Sequence, residues 1–421
     1  MLQKLSKVSL NMLHNFSCKS RKTKLFVAII LVIIVYMYIS LQKINQTKYQ
    51  HLTTFNKGEN FKALSDNENI IQDLKDYILL PPNQHNSSPN ERVVVYLAQK
   101  GRLPHLRASL YLLFKNFIDR FKYQIVIFHS GDMTWNLLMK SLIGILNKDQ
   151  IKFLELHEVK DYWEFPPGYV KDFIPVWPDS YPNYHQMCAF WFRKIFLHPR
   201  MQTVSYYWRL DTDSFLLSHI DYDLFEFLFK NNITYGYRLR ESTSCCANNM
   251  LALTQWFLLQ NNLSGGIAES YKWIMRYSQS ELLSFPNGIP PGNIFLSYYN
   301  NFEFVHVPSF RDHPIVWKFT ETLWRDPLFN KFSTYRYNWG DATLRYNTIQ
   351  IFPHLWNHVH HFCDIHYFHS FKQAMDCPYT DKPKDNYPFR IQESLQTYDN
   401  LCTEFEAKKF DLINCHKFQP K

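Results

Sequence analysis

Residues Tyr206-Tyr207-Trp208-Arg209-Leu210-Asp211-Thr212-Asp213 run through an aromatic, apolar segment and end on two carboxylates one residue apart. A run of this kind reads as a buried β-strand. Side chains at i and i+2 lie on one side of an extended chain, so Asp211 and Asp213 face the same way at the strand's end. Open α/β sheets bind ligands at that edge. Two carboxylates there suit a hard divalent ion, which takes oxygen ligands and leaves positions for a substrate's phosphates. A second pair, Asp221-Tyr222-Asp223, precedes Leu224-Phe225-Glu226-Phe227-Leu228-Phe229 and reads as the N-cap and first turn of a helix. Asp-x-Asp also arises by chance, and the same capping role is open to Asp211 and Asp213.

Upstream, Arg92-Val93-Val94-Val95-Tyr96-Leu97-Ala98 reads as a strand, followed by a loop Gln99-Lys100-Gly101-Arg102. A helix over 103–117 and a second strand over 123–128 come next, and a helix-rich stretch leads to Tyr206. Strand–helix–strand with apolar strands implies an α/β fold with a Rossmann-like parallel sheet. No Gly-x-Gly-x-x-Gly turn is present, which argues against a dinucleotide redox cofactor. The chain holds 35 Phe, 27 Tyr and 11 Trp, enough for one elaborated domain over 91–421.

The first 24 residues carry Lys4, Lys7, Lys19, Arg21, Lys22 and Lys24 and no acid. Residues 25–41, LFVAIILVIIVYMYISL, then hold no charge. As a helix this run would span about 25 Å, the short end of what crosses a bilayer. It exceeds a secretory h-region, and no Ala-x-Ala-like cleavage site follows. Positive charge before the run outweighs Lys43 and Lys48 after it. The expected order is a cytosolic tail (1–24), a transmembrane signal anchor (25–41), a polar stem (42–90) and a lumenal catalytic domain (91–421). Of the net charge of +9, six units lie in the tail, so the remainder is nearly balanced and gives no reason to invoke nucleic acid. Glycosylation sequons begin at Asn45, Asn86, Asn232 and Asn262. Of eight cysteines, the seven beyond Cys18 favour disulfides in an oxidising compartment over a zinc site, since none has Cys-x-x-Cys spacing. Seven is odd, so at least one is free or pairs with another chain.

From Tyr181 the chain reads YPNYHQMCAFWFRKIFLHPRMQTVSYYWRLDTDSFLLSHIDYDLFEFLFKNNITYGYR. Further blocks are Leu296-Ser297-Tyr298-Tyr299-Asn300-Asn301-Phe302-Glu303, Trp339-Gly340-Asp341-Ala342, His361-Phe362-Cys363-Asp364-Ile365-His366-Tyr367-Phe368-His369 and Cys377-Pro378. Taken in order, over about 92–378, the series resembles the fungal α-1,2-mannosyltransferases of glycosyltransferase family 15. The resemblance implies a type II Golgi membrane protein with a GT-A-like fold. It also implies transfer of mannose from GDP-mannose, with retention and with Mn²⁺, to α-mannosides on glycoproteins and glycolipids. Asp211 stands where the family has a first carboxylate, a Glu, and Asp213 at the second. Glu303 falls on its candidate nucleophile, Asp341 on the acid of Trp-Gly-Asp-Ala, His369 on the metal-binding His, Tyr184 on a Tyr near the donor phosphates and Arg209 on the strand Arg. The chain departs from the family at Asp-Thr-Asp for Glu-Pro-x, at Ser297 for a Cys that the family oxidises, and by extra residues between Glu303 and Trp339.

Sugar transfer from a nucleotide diphosphate needs the leaving pyrophosphate neutralised, positive charge at the anomeric carbon stabilised and the acceptor hydroxyl deprotonated. A divalent metal meets the first need, and the imidazole of His369 suits Mn²⁺. His369 also belongs to a His-rich patch with His358, His360, His361 and His366, where a plain core or surface role is open. Glu303 ends an aromatic run; it could attack or stabilise the sugar cation, or pair with an arginine such as Arg311 or Arg336. Asp341, beyond a strand-like 335–340, could hold the acceptor hydroxyl or donor sugar, or act as a helix N-cap. Arg209 could pair with a buried carboxylate or contact phosphate. Two other functions stay open: a transferase using another nucleotide sugar, and a catalytically silent lumenal glycan-binding protein. Acids at 211, 213, 303 and 341 together with His369 argue against the silent one.

Overall fold

The computed structural model describes residues 90–374 apart from 167, 170, 172–180, 244–246, 286, 329–331, 338 and 370–371. The expected tail, anchor and stem therefore lie outside the described residues, as do Asn45, Asn86, Cys245, Cys246, Cys377, Cys402 and Cys415. No helix among the described residues is long and apolar enough to cross a membrane.

The strands are β1 (Glu91–Ala98), β2 (Gln124–His129), β3 (Leu154–Glu158), β4 (Val204–Leu210), β5 (Ser214–Leu216), β6 (Tyr235–Tyr237), β7 (Arg240–Thr243), β8 (Phe295–Tyr298), β9 (Phe302–His306), β10 (Val359–His361), β11 (Tyr367–His369) and β12 (Lys372–Ala374). Seven of them form one sheet in the order β10-β6-β9-β4-β1-β2-β3. Pairs β1–β2, β1–β4, β2–β3 and β6–β10 are parallel, as the apolar strand–helix–strand pattern implies. Strand β9 runs antiparallel to both β4 and β6, so the sheet is mixed rather than purely parallel. Within the stretch read as helix-rich lies β3, an edge strand with only one buried residue, Leu154. The segment read as strand-like before Asp341 contains instead a helical turn, Ser333–Arg336.

Period-2 alternation splits β4 between two cores. Tyr206, Trp208 and Leu210 join Val94, Tyr96, Phe302 and Phe304 against the helix Leu103–Leu113 and Phe117. The Trp208 ring meets Phe117 edge-on at 5.3 Å and stacks on Phe304 at 4.8 Å. Tyr207 points to the opposite face, with Val93, Val95, Trp191, Phe196, Val305 and Ile349. Each large apolar side chain buried in this way stabilises the fold by about 1.5–3 kcal/mol. The polar residues Arg209 and Asp211 follow Tyr207 along the same face.

Two consequences of this topology position the site. Because β9 is antiparallel, its first residues, Phe302 and Glu303, lie beside the last residues of β4, Leu210 and Arg209. The chain turns after β4 into β5, which pairs with β11 in a three-stranded sheet and sets His369 opposite Ser214. The expected cap at Asp223 is also present: its carboxylate accepts from the backbone N–H groups of Phe225 and Glu226 at 3.0 and 3.1 Å.

Candidate active site

The turn that carries the two carboxylates is closed by its neighbours. The backbone N–H of Asp211 donates to the Asn301 carbonyl at 3.2 Å and to Ser214 Oγ at 3.1 Å. Ser214 N–H donates back to the Asp211 carbonyl at 3.0 Å. Ser214 Oγ also donates to the Asn301 carbonyl at 3.0 Å and bonds the Tyr367 hydroxyl at 2.7 Å. This lattice fixes the direction of both carboxylates. Asp213 Oδ1 lies 3.1 Å from His369 Nε2, and His369 Nδ1 is hydrogen-bonded to the Tyr299 hydroxyl at 3.1 Å. The side chains of Asp213 and His369 are 14 % and 12 % exposed, and that of Asp211 is 31 % exposed.

Behind the turn lies a buried set of charges. Arg209 is 2 % exposed, with its guanidinium 4.2 Å over the Trp191 ring. Its Nε donates to Asp211 Oδ1 at 3.1 Å, its Nη1 donates to Asp341 Oδ2, and Glu303 Oε1 stands 3.8 Å from Nη1. Asp341 opens the helix Asp341–Ile351, where a negative charge complements the helix dipole. Its Oδ2 also accepts from Asn300 Nδ2 at 2.9 Å. The Cys188 thiol bonds both Asp341 and the Tyr184 hydroxyl, which links the helix Asn183–Ala189 to the same cluster. Glu303 is fully buried. It accepts from the hydroxyls of Tyr207 at 3.2 Å and Tyr235 at 3.0 Å, and Arg345 Nε lies 3.7 Å from its Oε2.

Burial opposes the charge of Arg209, but Asp211, Asp341 and Glu303 outweigh it and hold the guanidinium well above its ordinary range. Desolvation pushes Glu303 above the usual carboxylate range, against the pull of Arg345 and Arg209. Asp211 moves the same way for the same reason, with Arg209 and His369 opposing. Burial raises the Cys188 thiol well above its ordinary value, which keeps it neutral.

The structure thus gathers Arg209, Asp211, Glu303 and Asp341 into one hydrogen-bonded and ion-paired cluster, with Asp213 and His369 across the same turn. Tyr184 reaches it through Cys188. The arginines expected for Glu303 are different ones. Arg311 chelates Asp312 and donates to the Met201 carbonyl, and Arg336 lies over the Tyr337 ring. The actual partners are Arg209, opposite Glu303 in the strand register, and Arg345. Asp341 is the first helical residue rather than the cap, which is Gly340. Arg345 escaped notice, although its i+4 spacing from Asp341 places both on one helix face. Tyr299, Asn300 and Asn301 lay inside a quoted block without being given roles.

Among the described residues no group of three or more His, Cys, Asp or Glu side chains is placed to hold a metal ion. Asp213 and His369 nevertheless offer one oxygen and one nitrogen, and the second imidazole nitrogen is bonded to Tyr299, an arrangement that orients metal-binding histidines. This donor pair, with Asp211 beside it, fits a divalent ion that completes its shell with phosphate and water oxygens.

Comparison with known proteins accords with this architecture. A family model described as glycolipid 2-alpha-mannosyltransferase matches residues 40–405. O-glycoside alpha-1,2-mannosyltransferase homolog 5 of Schizosaccharomyces pombe is 25% identical over 316 residues, covering 67% of this chain and 72% of that one. The probable mannosyltransferase KTR4 of Saccharomyces cerevisiae is 23% identical over 303 residues, covering 69% of this chain and 61% of its own length. The structure of S. cerevisiae Ktr4p in complex with GDP superposes with a TM-score of 0.57 at 20% identity, covering 82% of this chain and 92% of that one. The Mn/GDP form of core-mannan synthase A from Aspergillus fumigatus gives 0.56 at 20% identity, covering 76% and 87%. These likenesses establish the GT-A-like mixed α/β fold.

Proposed function

Because the chain belongs to the glycolipid 2-alpha-mannosyltransferase family, we propose that it transfers mannose from GDP-mannose to the 2-hydroxyl of an α-mannoside on a glycoprotein or glycolipid. The observation that carries this reading is the Asp213–His369 pair, 3.1 Å apart at the carboxyl end of β4. Open α/β sheets bind ligands at that edge, and a relative of the same fold is described in an Mn/GDP form.

Asp213 and His369, with Asp211 beside them, would hold Mn²⁺, which supplies Lewis-acid neutralisation of the pyrophosphate. Four carboxylates (Asp211, Asp213, Glu303 and Asp341) stand against two guanidiniums (Arg209 and Arg345). With the acids ionised the cluster keeps an excess of negative charge, which favours the positive charge that develops on the anomeric carbon. Arg209 sets the direction of Asp211 and Asp341 together. Asp341, held by Arg209 and Asn300, orients the sugar or the acceptor hydroxyl, and Tyr184 stands at the same end. Glu303 acts from behind: fully buried, it contributes through charge and by holding Arg209 and Arg345.

The test is incubation of the purified domain with labelled GDP-mannose, Mn²⁺ and an α-mannobiose acceptor. Label should enter a 1,2-linked product, with one GDP released per transfer. Thermal stabilisation by a UDP-sugar and not by GDP-mannose would replace the donor assignment, since a ligand that binds the native state raises stability.

The uncharged run 25–41 behind a basic head supports anchoring as a type II Golgi membrane protein with the catalytic domain in the lumen. A disulfide at Cys363 fits an oxidising compartment. Asn232 and Asn262, both exposed in left-handed turns that end helices, are open to glycan attachment. Endoglycosidase treatment of the secretory-pathway protein should increase its mobility; an unchanged band in Asn232→Gln and wild type alike would argue against a lumenal domain.

A further inference from the structure

We infer that Arg345 is a positioning residue for Glu303: it directs the Tyr207 hydroxyl proton onto that carboxylate and keeps it charged for sugar transfer. This deepens the mannosyl-transfer reading and rests on it. Arg345 stands one turn after Asp341 in the helix Asp341–Ile351 and is 2 % exposed. Its Nη2 donates to the Trp191 carbonyl at 2.9 Å and to the Tyr207 hydroxyl oxygen at 3.3 Å. The guanidinium also lies 4.8 Å over the Phe310 ring and 5.2 Å over the Phe196 ring, so packing as well as hydrogen bonding holds it in place.

The Tyr207 hydroxyl has one proton to give. A guanidinium offers donors and no acceptor, so Tyr207 accepts from Arg345 and its proton goes to its other partner, Glu303 Oε1, 3.2 Å away. Burial, and after it the charge of Glu303, holds the Tyr207 phenol well above its ordinary range, so that proton stays on the tyrosine. On the second oxygen, Tyr235 donates to Oε2 at 3.0 Å, and Arg345 Nε stands 3.7 Å from the same atom. The groups facing Glu303 are therefore Tyr207 and Arg209 from β4, Tyr235 from β6, and Arg345 and Asp341 from the helix. Burial and Asp341 oppose the ionised acid, while the two hydroxyls and two guanidiniums favour it. Arg209 is shared with Asp211 and Asp341, whereas Glu303 is the only carboxylate ion-paired with Arg345 among the described residues. The charge of Glu303 thus depends more on Arg345 than on Arg209.

The test uses the full-length protein as wild type, Arg345→Met and Arg345→Lys. Infrared spectra recorded across pH show the C=O stretch of protonated carboxyls, and the band missing from Glu303→Gln belongs to Glu303. In Arg345→Met that band should persist to a pH about one to three units higher than in wild type, the scale of losing a nearby opposite charge. The acid limb of kcat with GDP-mannose and Mn²⁺ should move up with it, a loss of about 10-fold or more at a fixed pH on that limb. The GDP-mannose dissociation constant should stay within about 3-fold of wild type. Arg345→Lys keeps a cation without the planar fork, so band and limb should move the same way by less, and it carries the comparison if Arg345→Met does not fold. A lower melting temperature with neither band nor limb displaced would make Arg345 a structural residue and overturn the inference. If the band moves as stated but wild type turns over no GDP-mannose, the donor assignment falls and the control of Glu303 by Arg345 stands.

Discussion

Arg209 is surrounded by acids: Asp211, Asp341 and Glu303 all turn toward its guanidinium, and Glu303 alone of the three also meets Arg345. Removing one partner of a buried ion pair leaves its counter-charge unpaid for, which typically costs about 3–5 kcal/mol. Arg209→Met should therefore lower unfolding stability by about that amount in urea titration, and a change under about 1 kcal/mol would show that the acids are neutral in the fold. At the turn beside it, His369→Ala removes a side chain bonded to Tyr299 and Asp213. Metal-dependent binding of GDP should weaken by about 10- to 100-fold, with the melting temperature nearly unchanged; full affinity would take His369 out of the site. Glu303→Gln keeps the shape that Tyr207 and Tyr235 hold and removes the charge. We expect kcat to fall about 10²-fold with donor affinity little changed, the pattern of a group that acts mainly in the transition state. Near-normal turnover would reduce Glu303 to a partner of the two arginines and leave Asp341 as the leading acid.

Between elements, a close approach lies where β6 pairs with β9 beneath the Phe362 ring. A Cβ on Gly236 would stand 2.6 Å from Phe362 Cε2 and 3.2 Å from Phe304 Cβ. Gly236→Ala should cost about 1–3 kcal/mol through overpacking, measured as a lower urea midpoint with an unchanged slope. Strands with long apolar runs were the legible ones. The stretches 92–98, 123–128 and 206–210 all sit inside observed strands or within one residue of them, because central strands buried on both faces carry continuous hydrophobic runs. Leu154–Glu158 went unseen because an edge strand exposes most of its residues. Tyr335, Tyr337 and Trp339 imitate period-2 alternation, yet Ser333–Arg336 is a helical turn that buries Tyr335 among Phe165, Tyr169 and Trp324. The cap at Asp223 was readable because capping is a contact between residues three apart.

For the molecule as a whole, buried histidines link stability to pH, four of them most strongly. Burial pushes His185, His198, His306 and His354 down to about 4 from an ordinary 6.5. The unfolded chain takes up these protons as pH falls through 6.5, and the folded chain does so only near 4. Between those values the unfolded state binds more protons, so stability is complete above about 6.5 and is lost progressively towards 4. The raised carboxyls of Asp211 and Glu303 act in the opposite sense nearer the carboxylate range. Urea midpoints should therefore fall steadily from pH 7 to pH 4.5, and His185→Phe should flatten part of that slope. A midpoint independent of pH across this range would mean that these rings are hydrated in the folded protein.

Local periodicity and spacing determined a good deal alone. The strand ending in Asp211-Thr212-Asp213, the strand–helix–strand opening, the cap at Asp223 and the ordered blocks through His369 were all readable without coordinates. Each depends on neighbours a few residues apart. Only the tertiary structure decided that β9 runs against β4, that Arg209 and Arg345 rather than Arg311 and Arg336 flank Glu303, and that Glu303 is sealed from solvent. It alone set Asp213 against His369 across a turn. These facts depend on register between segments up to about 150 residues apart, and side-chain pattern along one strand carries no information about which distant strand will lie beside it or in which direction.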